Sequence, residues 1–426
     1  MTRMNRRRRA LGSDRLVAAL DVGTTKVCCI VAEVDKDDGI NVLGMGYRVS
    51  GGVRAGAVVD MDQTESAIRA AVDQAERVAD QTIDEVIVNL SAGSPLSRIV
   101  EMDVAIDGYQ VSQADVDGLV KAAAGQIAAE DREIVHAFPA CYSIDGAIGV
   151  SEPAGMFGDR LSVALHVLTA AQGPVRNLEA CVERAHLGAM RKVISPYASG
   201  LATLVDDEIE LGAACVDMGG GTTTISIFAR GAMVHADIIP MGGRDITEAI
   251  ARELLTPLDE AERLKTLHGS AMASRSDEEE FIDVPQMGEN EFGDDGVNRV
   301  PRAALTGTIQ GQMEKTLDAV REKLASSGFD GVSGHRVVLT GGASQLTGTR
   351  ELAQQVLGKQ VRIGRPRGII GLPDSAAGPA FSTCAGLLVY AVRAPLEVGE
   401  AEMPAHFPLP EAGGFQRMGR WLRENL

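Results

Sequence analysis

The chain has little aromatic content and few positive charges. Only 4% of its 426 residues are Phe, Trp or Tyr, and Trp421 is the single Trp. Asp and Glu number 59 against 41 Lys and Arg, a formal net charge of −18. So acidic a body excludes nucleic acid as an expected partner, because phosphate backbones are gripped by clustered Lys and Arg. No apolar run approaches the ~20 residues needed to span a bilayer, so the chain reads as soluble or peripheral. The six cysteines (Cys28, Cys29, Cys141, Cys181, Cys215, Cys384) show neither a CxxC pair nor disulfide-like spacing. Most lie in apolar segments, so buried free thiols in a reducing cytoplasm are expected. Seven histidines show no ligand spacing, and no structural metal is expected. There is no G-x-x-x-x-G-K-[ST] and no G-x-G-x-x-G after a strand, which excludes P-loop and dinucleotide folds. Nucleophile-elbow and H-E-x-x-H signatures are missing as well. The start, MTRMNRRRRALGSDR, resembles a signal n-region, but Leu16–Leu20 is too short an apolar stretch and runs into a charged motif. A disordered basic arm is expected there.

What is present is one motif used twice. Leu16–Asp21 is an apolar run ending in DVGTTK, followed by a second β-rich run, Val27–Val34. Ala213–Asp217 ends in DMGGGTTT, followed by Ile225–Phe228 and Ala232–Ile239. The unit is strand, Asp-x-Gly turn with Thr, strand, and its recurrence points to two similar facing domains. At 426 residues the chain is in any case too long for one hydrophobic core. Gly in such a turn lets backbone N–H groups line a concavity that holds phosphate oxygens. Thr24, Thr25, Thr222 and Thr223 add hydroxyls. Lys26 either supplies charge or is turned elsewhere by strand alternation. Asp21 and Asp217 would repel phosphate directly, and a hydrated Mg²⁺ between them and the phosphates reconciles the two. A single D-x-G-T turn is usually only a hairpin turn.

A third element fits the same ligand. Val337–Thr340 ends in Gly341-Gly342-Ala343-Ser344, and Leu346–Leu357 reads as a helix. This arrangement lets a base or ribose approach the backbone, although a Gly pair alone is weak. Met241–Thr247 opens another helix and Ala261–Lys265 lies on the next. Glu262 and Lys265 share a helical face, where they either hold ribose and adenine or pair with each other.

The last residues, GFQRMGRWLRENL, form a basic amphipathic pattern. Phe415, Met418, Leu422 and Leu426 fall on one side with Trp421 at its border, while Arg417, Arg420 and Arg423 flank them. Such a helix suits the headgroup layer of an anionic membrane, each Arg adding about 1 kcal/mol of attraction. The alternative is a helix docked on its own domain. Ala394–Gly414, with Pro395, Pro404, Pro408 and Pro410, reads instead as an extended tether.

Two phosphate hairpins in chain order, then a Gly-Gly turn, resemble the actin, sugar kinase and DnaK superfamily. Within it the chain is similar to the FtsA family of bacterial division proteins. LVAALDVGTTKVCCIVAEV, AACVDMGGGTTTISIF, VVLTGGASQLTG, RIGRPRGIIGL and the amphipathic tail carry this resemblance. It implies an α/β fold with two actin-like, ribonuclease-H-like lobes and a small α/β subdomain inserted in the first. The expected organisation is a basic arm (1–14), first lobe (15–96 and 173–208) and insert (97–172). The second lobe follows (209–248 and 334–375) with an outer subdomain (249–333) and acidic loop (276–295). A closing helix of lobe one (376–393), a linker (394–413) and the membrane helix (414–426) complete it. In the insert Arg98–Ile106, Val111–Ala128, Glu133–Ile144 and Arg160–Ala171 read as strand, helix, strand, strand.

By motif match, Asp21, Gly23, Thr24, Thr25 and Lys26 would form the first phosphate loop. Asp217, Gly219, Gly220, Gly221, Thr222 and Thr223 would form the second. Gly341, Gly342 and Ala343 would meet adenosine, with Gly243, Glu262 and Lys265 as looser candidates. ATP and Mg²⁺, the latter through Asp21 and Asp217, are the implied cofactors. The resemblance further implies anchoring of FtsZ filaments to the cytoplasmic face of the inner membrane, self-association into filaments, and recruitment of later division proteins. Arg299 and Arg302, before the helical pattern Ala303–Leu324, either receive the acidic FtsZ tail or neutralise the acidic loop. The family's water-positioning Glu or Gln has no counterpart in Ile194–Gly200, so no catalytic residue is assigned and nucleotide is expected as a structural switch. The alternatives are a sugar or acetate kinase and a pilus-assembly actin-like protein of the same superfamily.

Overall fold

A computed structural model describes residues 15–126, 131–287, 297–331 and 335–393. Two sheets of matching topology form the frame. In the first lobe Arg15–Val22 pairs antiparallel with Lys26–Val34, which pairs antiparallel with Ile40–Val49. Glu85–Leu90 then adds in parallel beside Arg15–Val22, and Gly188–Ile194 beside Glu85–Leu90. The second lobe repeats the order with Ala213–Met218, Thr223–Ala229, Ala232–Ile239, Arg336–Thr340 and Gln360–Ile363. Both sheets therefore run third, second, first, fourth, fifth strand, the arrangement expected of duplicated lobes.

The strands read as continuous apolar runs because both faces are covered. Helix Met61–Ala79 lies on one face of the first sheet, burying Ala67, Ile68, Ala71, Val72 and Ala75. Asp60 caps it, accepting from Gln63 N at 2.9 Å. Gly44 and Gly46 let this helix approach, since a Cβ at either would overlap the backbone carbonyl of Ala75 or Ala71. On the other face helices Ser195–Thr203 and Ser382–Arg393 cross between the lobes, so closely that a Cβ at Gly386 would overlap the Ala198 carbonyl. These two helices are the elements at which the lobes meet behind the cleft.

The insert leaves the first lobe as a four-stranded antiparallel sheet ordered Leu96–Ala105, Arg160–Ala171, Arg132–Ile144, Ala147–Val150. Among its described residues the helix Gln113–Gly125 starts in a capping box between Ser112 and Asp115. The insert packs on both lobes. His136 Nε2 accepts from Ile194 N at 3.0 Å, while His166 Nδ1 meets the Met233 carbonyl of the second lobe at 2.9 Å. Burial holds the His166 imidazole down at about 3, so it stays neutral there.

Several expectations on boundaries need correction. The helix after the Gly pair begins at Thr349, not Leu346, because a 3-10 turn, Gly342–Gln345, and the left-handed Gly348 intervene. The acidic segment 276–295 is not all loop. A 3-10 turn spans Arg275–Glu278, and Phe281–Pro285 pairs antiparallel with Val297–Pro301, burying Ile282 and Val284 between acidic neighbours. The helix expected over Ala303–Leu324 runs Arg302–Ser326. In the insert, Ala147–Val150 is an additional strand. The chain also returns to lobe one ahead of residue 376, since Ile369–Ile370 pairs parallel with Ile40 and Asn41.

Candidate functional site

The two Asp-x-Gly turns have the same geometry. Each closes four residues between paired strand ends, Val22 with Val27 and Met218 with Thr223. Gly23 N donates to Lys26 O at 3.0 Å and Gly219 N to Thr222 O at 2.8 Å. The turns face each other across a cleft of about 860 Å³ between the lobes. They are in contact: a Cβ on Gly220 would overlap the Thr25 hydroxyl, and one on Gly221 would sit 2.7 Å from Thr24 Cγ2. The second turn is braced from behind by the N-terminus of helix Gly243–Glu253. There Gly243 N donates to Gly219 O at 2.9 Å and Arg244 N to Gly220 O at 2.7 Å.

Asp21 and Asp217 end their strands at the cleft floor, 8% and 7% exposed. Burial pushes the Asp21 carboxyl up to about 7, with Lys26 opposing the rise and Asp217 adding to it. Asp217 is raised too, by burial, although hydrogen bonds from Ser199 and Thr383 hold it back. The Thr383 hydroxyl donates to Asp217 at 2.9 Å. Lys26 lines the cleft but is already engaged, donating to Ala380 O at 2.6 Å with its ammonium 3.3 Å above the Phe381 ring. Burial lowers its pKa against the pull of Asp21.

On the far wall Gly341 takes a left-handed φ of 85°, where a Cβ would overlap the Asp217 carboxylate. Gly342 and Ala343 follow on the cleft surface. Glu262 and Lys265 pair with each other at 2.7 Å, and both line the cleft. Lys265 further donates to Gly243 O at 3.0 Å and Thr247 Oγ1 at 2.8 Å.

Every expected phosphate- and adenosine-site residue lines the cleft except Thr223. Its side chain points the other way, donating to Met241 O at 2.8 Å, because alternation along the strand turns Thr222 and Thr224 inward. Thr224 was recoverable from that alternation. Ser50, Ser91, Ser195 and Thr383 also line the cleft, and no sequence signal marks them. Ser195 Oγ lies 2.6 Å from Ser91 Oγ, with Asn89 Nδ2 donating to it at 3.2 Å. At the mouth Arg54 of lobe one reaches Glu248 of lobe two at 3.5 Å.

Arg299 and Arg302 lie apart from the cleft on the outer subdomain. Arg302 pairs with buried Asp277 at 3.4 Å and with Glu280 at 2.9 Å, whereas Arg299 lies 5.4 Å from the exposed Phe281 ring. The tail residues Phe415, Arg417, Met418, Arg420, Trp421, Leu422, Arg423 and Leu426 fall outside the described residues, as do 1–14. No helix among the described residues is long and apolar enough to cross a membrane.

The cell division protein FtsA of Rhizobium meliloti (strain 1021) is 45% identical over 423 residues, covering 97% of this chain and 95% of its own length. The chain belongs to the FtsA family. The FtsA of Escherichia coli (strain K12) is 34% identical over 424 residues, covering 97% of this chain and 98% of its own. The family model described as "Cell division protein FtsA" matches residues 214–386, and "SHS2 domain inserted in FTSA" matches residues 92–169. That second match spans most of the inserted subdomain. Among solved structures, a PilM–PilN type IV pilus biogenesis complex aligns with a TM-score of 0.61 at 16% identity, covering 88% of this chain and 98% of that one. MreB5 of Spiroplasma citri bound to ADP aligns at 0.50 and 13% identity, covering 88% and 96%. At such identities these likenesses establish the actin-like fold alone. The pilus-assembly alternative thus survives as a shared fold, while the sequence relatives are FtsA proteins.

Proposed function

We propose that this member of the FtsA family binds ATP with Mg²⁺ in the interlobe cleft and, as a peripheral protein at the division septum, joins FtsZ filaments to an anionic membrane. The observation that carries the nucleotide reading is the pair of matched Gly turns facing each other over two buried carboxylates. Two like charges in one dry floor call for a cation, and Mg²⁺ suits them because it binds through few carboxylates and substrate phosphates. The cleft wall also offers the hydroxyls of Ser50 and Thr224, buried without hydrogen-bond partners. The backbone of Thr24–Thr25 and Gly220–Thr222 would hold phosphate oxygens in turns closed by Gly23 and Gly219, Gly341–Ala343 would pass the ribose and base, and Lys265 with Glu262 would border them. The metal's contribution is to neutralise phosphate charge. Ile194–Gly200 offers no Glu or Gln to orient an attacking water, so nucleotide would act chiefly by favouring one lobe arrangement.

Gly342→Val tests the site most cleanly. The nearest atom to a Cβ there is 3.8 Å away, so the first side-chain carbon enters cleft space without overlap. The parent should gain about 2.7 kcal/mol of stability at ATP a hundredfold above its dissociation constant, and the variant nothing. Undiminished ATP stabilisation in Gly342→Val and Gly220→Val together sinks the assignment.

For the filament partner, Arg299 beside Phe281 offers a cation next to an exposed apolar ring, which suits an acidic and apolar FtsZ tail. Arg302 is committed to Asp277 and Glu280. Arg299→Glu should weaken binding of an FtsZ tail peptide about tenfold while leaving ATP binding intact. Unaltered affinity in a peptide titration moves the contact elsewhere. Self-association into filaments and recruitment of later division proteins belong to the same proposal, on family membership.

A further inference from the structure

We infer that Arg244 is the residue that tells a nucleoside triphosphate from a diphosphate in the cleft, with Glu248 holding its guanidinium until a terminal phosphate takes it. This inference rests on the nucleotide reading above and deepens it by assigning what reads the length of the phosphate chain. Three cationic side chains line the cleft: Lys26, Arg244 and Lys265. Two of them are committed to the protein. Lys26 donates to Ala380 O with its ammonium over the Phe381 ring. Lys265 spends its three protons on Gly243 O, Thr247 Oγ1 and Glu262 Oε2. Arg244 differs. It donates through Nε to Glu248 Oε1 at 3.1 Å, and its terminal nitrogens make no hydrogen bond among the described residues. The planar fork that grips a phosphate with two parallel N–H groups is therefore unused.

Glu248 is a partner that can let go. Its Oε1, which accepts from Arg244, also lies 3.5 Å from Nη2 of Arg54, a residue of the opposite lobe. Releasing Arg244 thus leaves the carboxylate facing a second guanidinium rather than stranded. An i,i+4 ion pair on a solvated helix face is weak, and a doubly charged phosphate competes with it readily.

The backbone fixes where this guanidinium starts. Arg244 N donates to Gly220 O at 2.7 Å, and a Cβ on Gly220 would overlap the Thr25 hydroxyl of the first turn. Arg244 is anchored, in other words, where the two phosphate turns meet. Ser50 N donates to Thr25 O at 3.0 Å at the same junction, and the Ser50 hydroxyl is buried there without a hydrogen-bond partner. The preceding residue faces different neighbours. A Cβ on Gly243 would lie 3.4 Å from Ala343 Cβ and 3.7 Å from Lys265 Nζ, in the part of the cleft assigned to adenosine. From Gly243 to Arg244 the wall therefore passes from the adenosine end to the junction of the turns. The last phosphate of a triphosphate is the group brought to that junction, and a diphosphate ends short of it.

The test uses the full chain and reads affinity from thermal stabilisation in titrations of ATP and of ADP, each with Mg²⁺. Arg244→Ala should weaken ATP about tenfold and leave ADP within about twofold, with unfolding in the absence of nucleotide at the parent temperature. Arg244→Lys, which keeps the charge without the fork, should recover part of the preference for ATP. Glu248→Gln, which frees the guanidinium, should raise that preference about threefold above the parent's, and it carries the test if Arg244→Ala does not fold. Arg54→Ala should lower the preference in the parent and have no effect on it in the Arg244→Ala background. An equal loss of ATP and ADP in Arg244→Ala overturns the inference, leaving the three residues as a clasp between the lobes. A parent-like ratio of the two affinities in Arg244→Ala overturns it as well. Failure of the parent chain to bind either nucleotide removes the nucleotide reading itself, and this inference with it.

Discussion

Asp21 shows how a functional demand leaves a mark on stability. Its carboxyl is pushed from the ordinary 3.8 up to about 7 by burial, so the folded protein holds a proton there that the unfolded chain has released. Stability must therefore fall as pH rises through that window, by up to about 1.4 kcal/mol per pH unit from this residue alone. Asp217, shifted in the same direction, adds to the slope. In the ligand-free protein, Asp21→Asn should flatten the dependence, and Mg²⁺ should stabilise the parent more above the window than below it. Urea unfolding at stepped pH checks both, and identical slopes in parent and variant refute the cause. The carboxylates were legible because Asp before a Gly turn at a strand end is an unusual choice for a buried position. The engagement of Lys26 with Ala380 and Phe381 was not, since that partner arrives from more than three hundred residues away.

The crossing pair Ser195–Thr203 and Ser382–Arg393 is the element whose sequence carried least warning. Gly200 and Gly386 sit in ordinary small-residue helical stretches, yet a Cβ at Gly386 would overlap the Ala198 carbonyl and one at Gly200 the Phe228 ring. Gly386→Leu should destabilise the protein by about 3 kcal/mol through overpacking. Gly311→Ala, in the helix Arg302–Ser326 where nothing lies within 4 Å of an added Cβ, should be neutral or stabilising by about 0.5–1 kcal/mol. Thermal melts of the two decide whether close crossing or helix propensity governs these glycines. The hairpins were readable from local pattern, because apolar runs, a Gly turn and Thr repeat in both halves. Strand Phe281–Pro285 was hidden because only Ile282 and Val284 face inward while acidic residues surround them. Boundaries after the Gly pair shifted because left-handed glycines, not propensity, decide where Thr349 can begin a helix.

At the scale of the whole molecule, the lobes are joined at more than the crossing helices. Core packing behind the crossing helices is continuous from the insert through both lobes, with Phe138 and Leu168 buried alongside Ile87, Met233 and Ala236. His136, Phe138, Tyr197 and Tyr390 bring rings from three parts of the chain into one cluster, Phe138 and Tyr197 at 5.0 Å between centroids. Sequence showed the insert as a small α/β unit, but nothing in a linear pattern could show that it would rest on both lobes. Interiors packed at crystal-like density do not stretch; they slide or stay. The His166–Met233 contact lies in that packing and ties the insert directly to the second lobe. The insert is thus a third wall shared by both lobes, and any change in their spacing would have to be accommodated in its core packing as well as between the crossing helices.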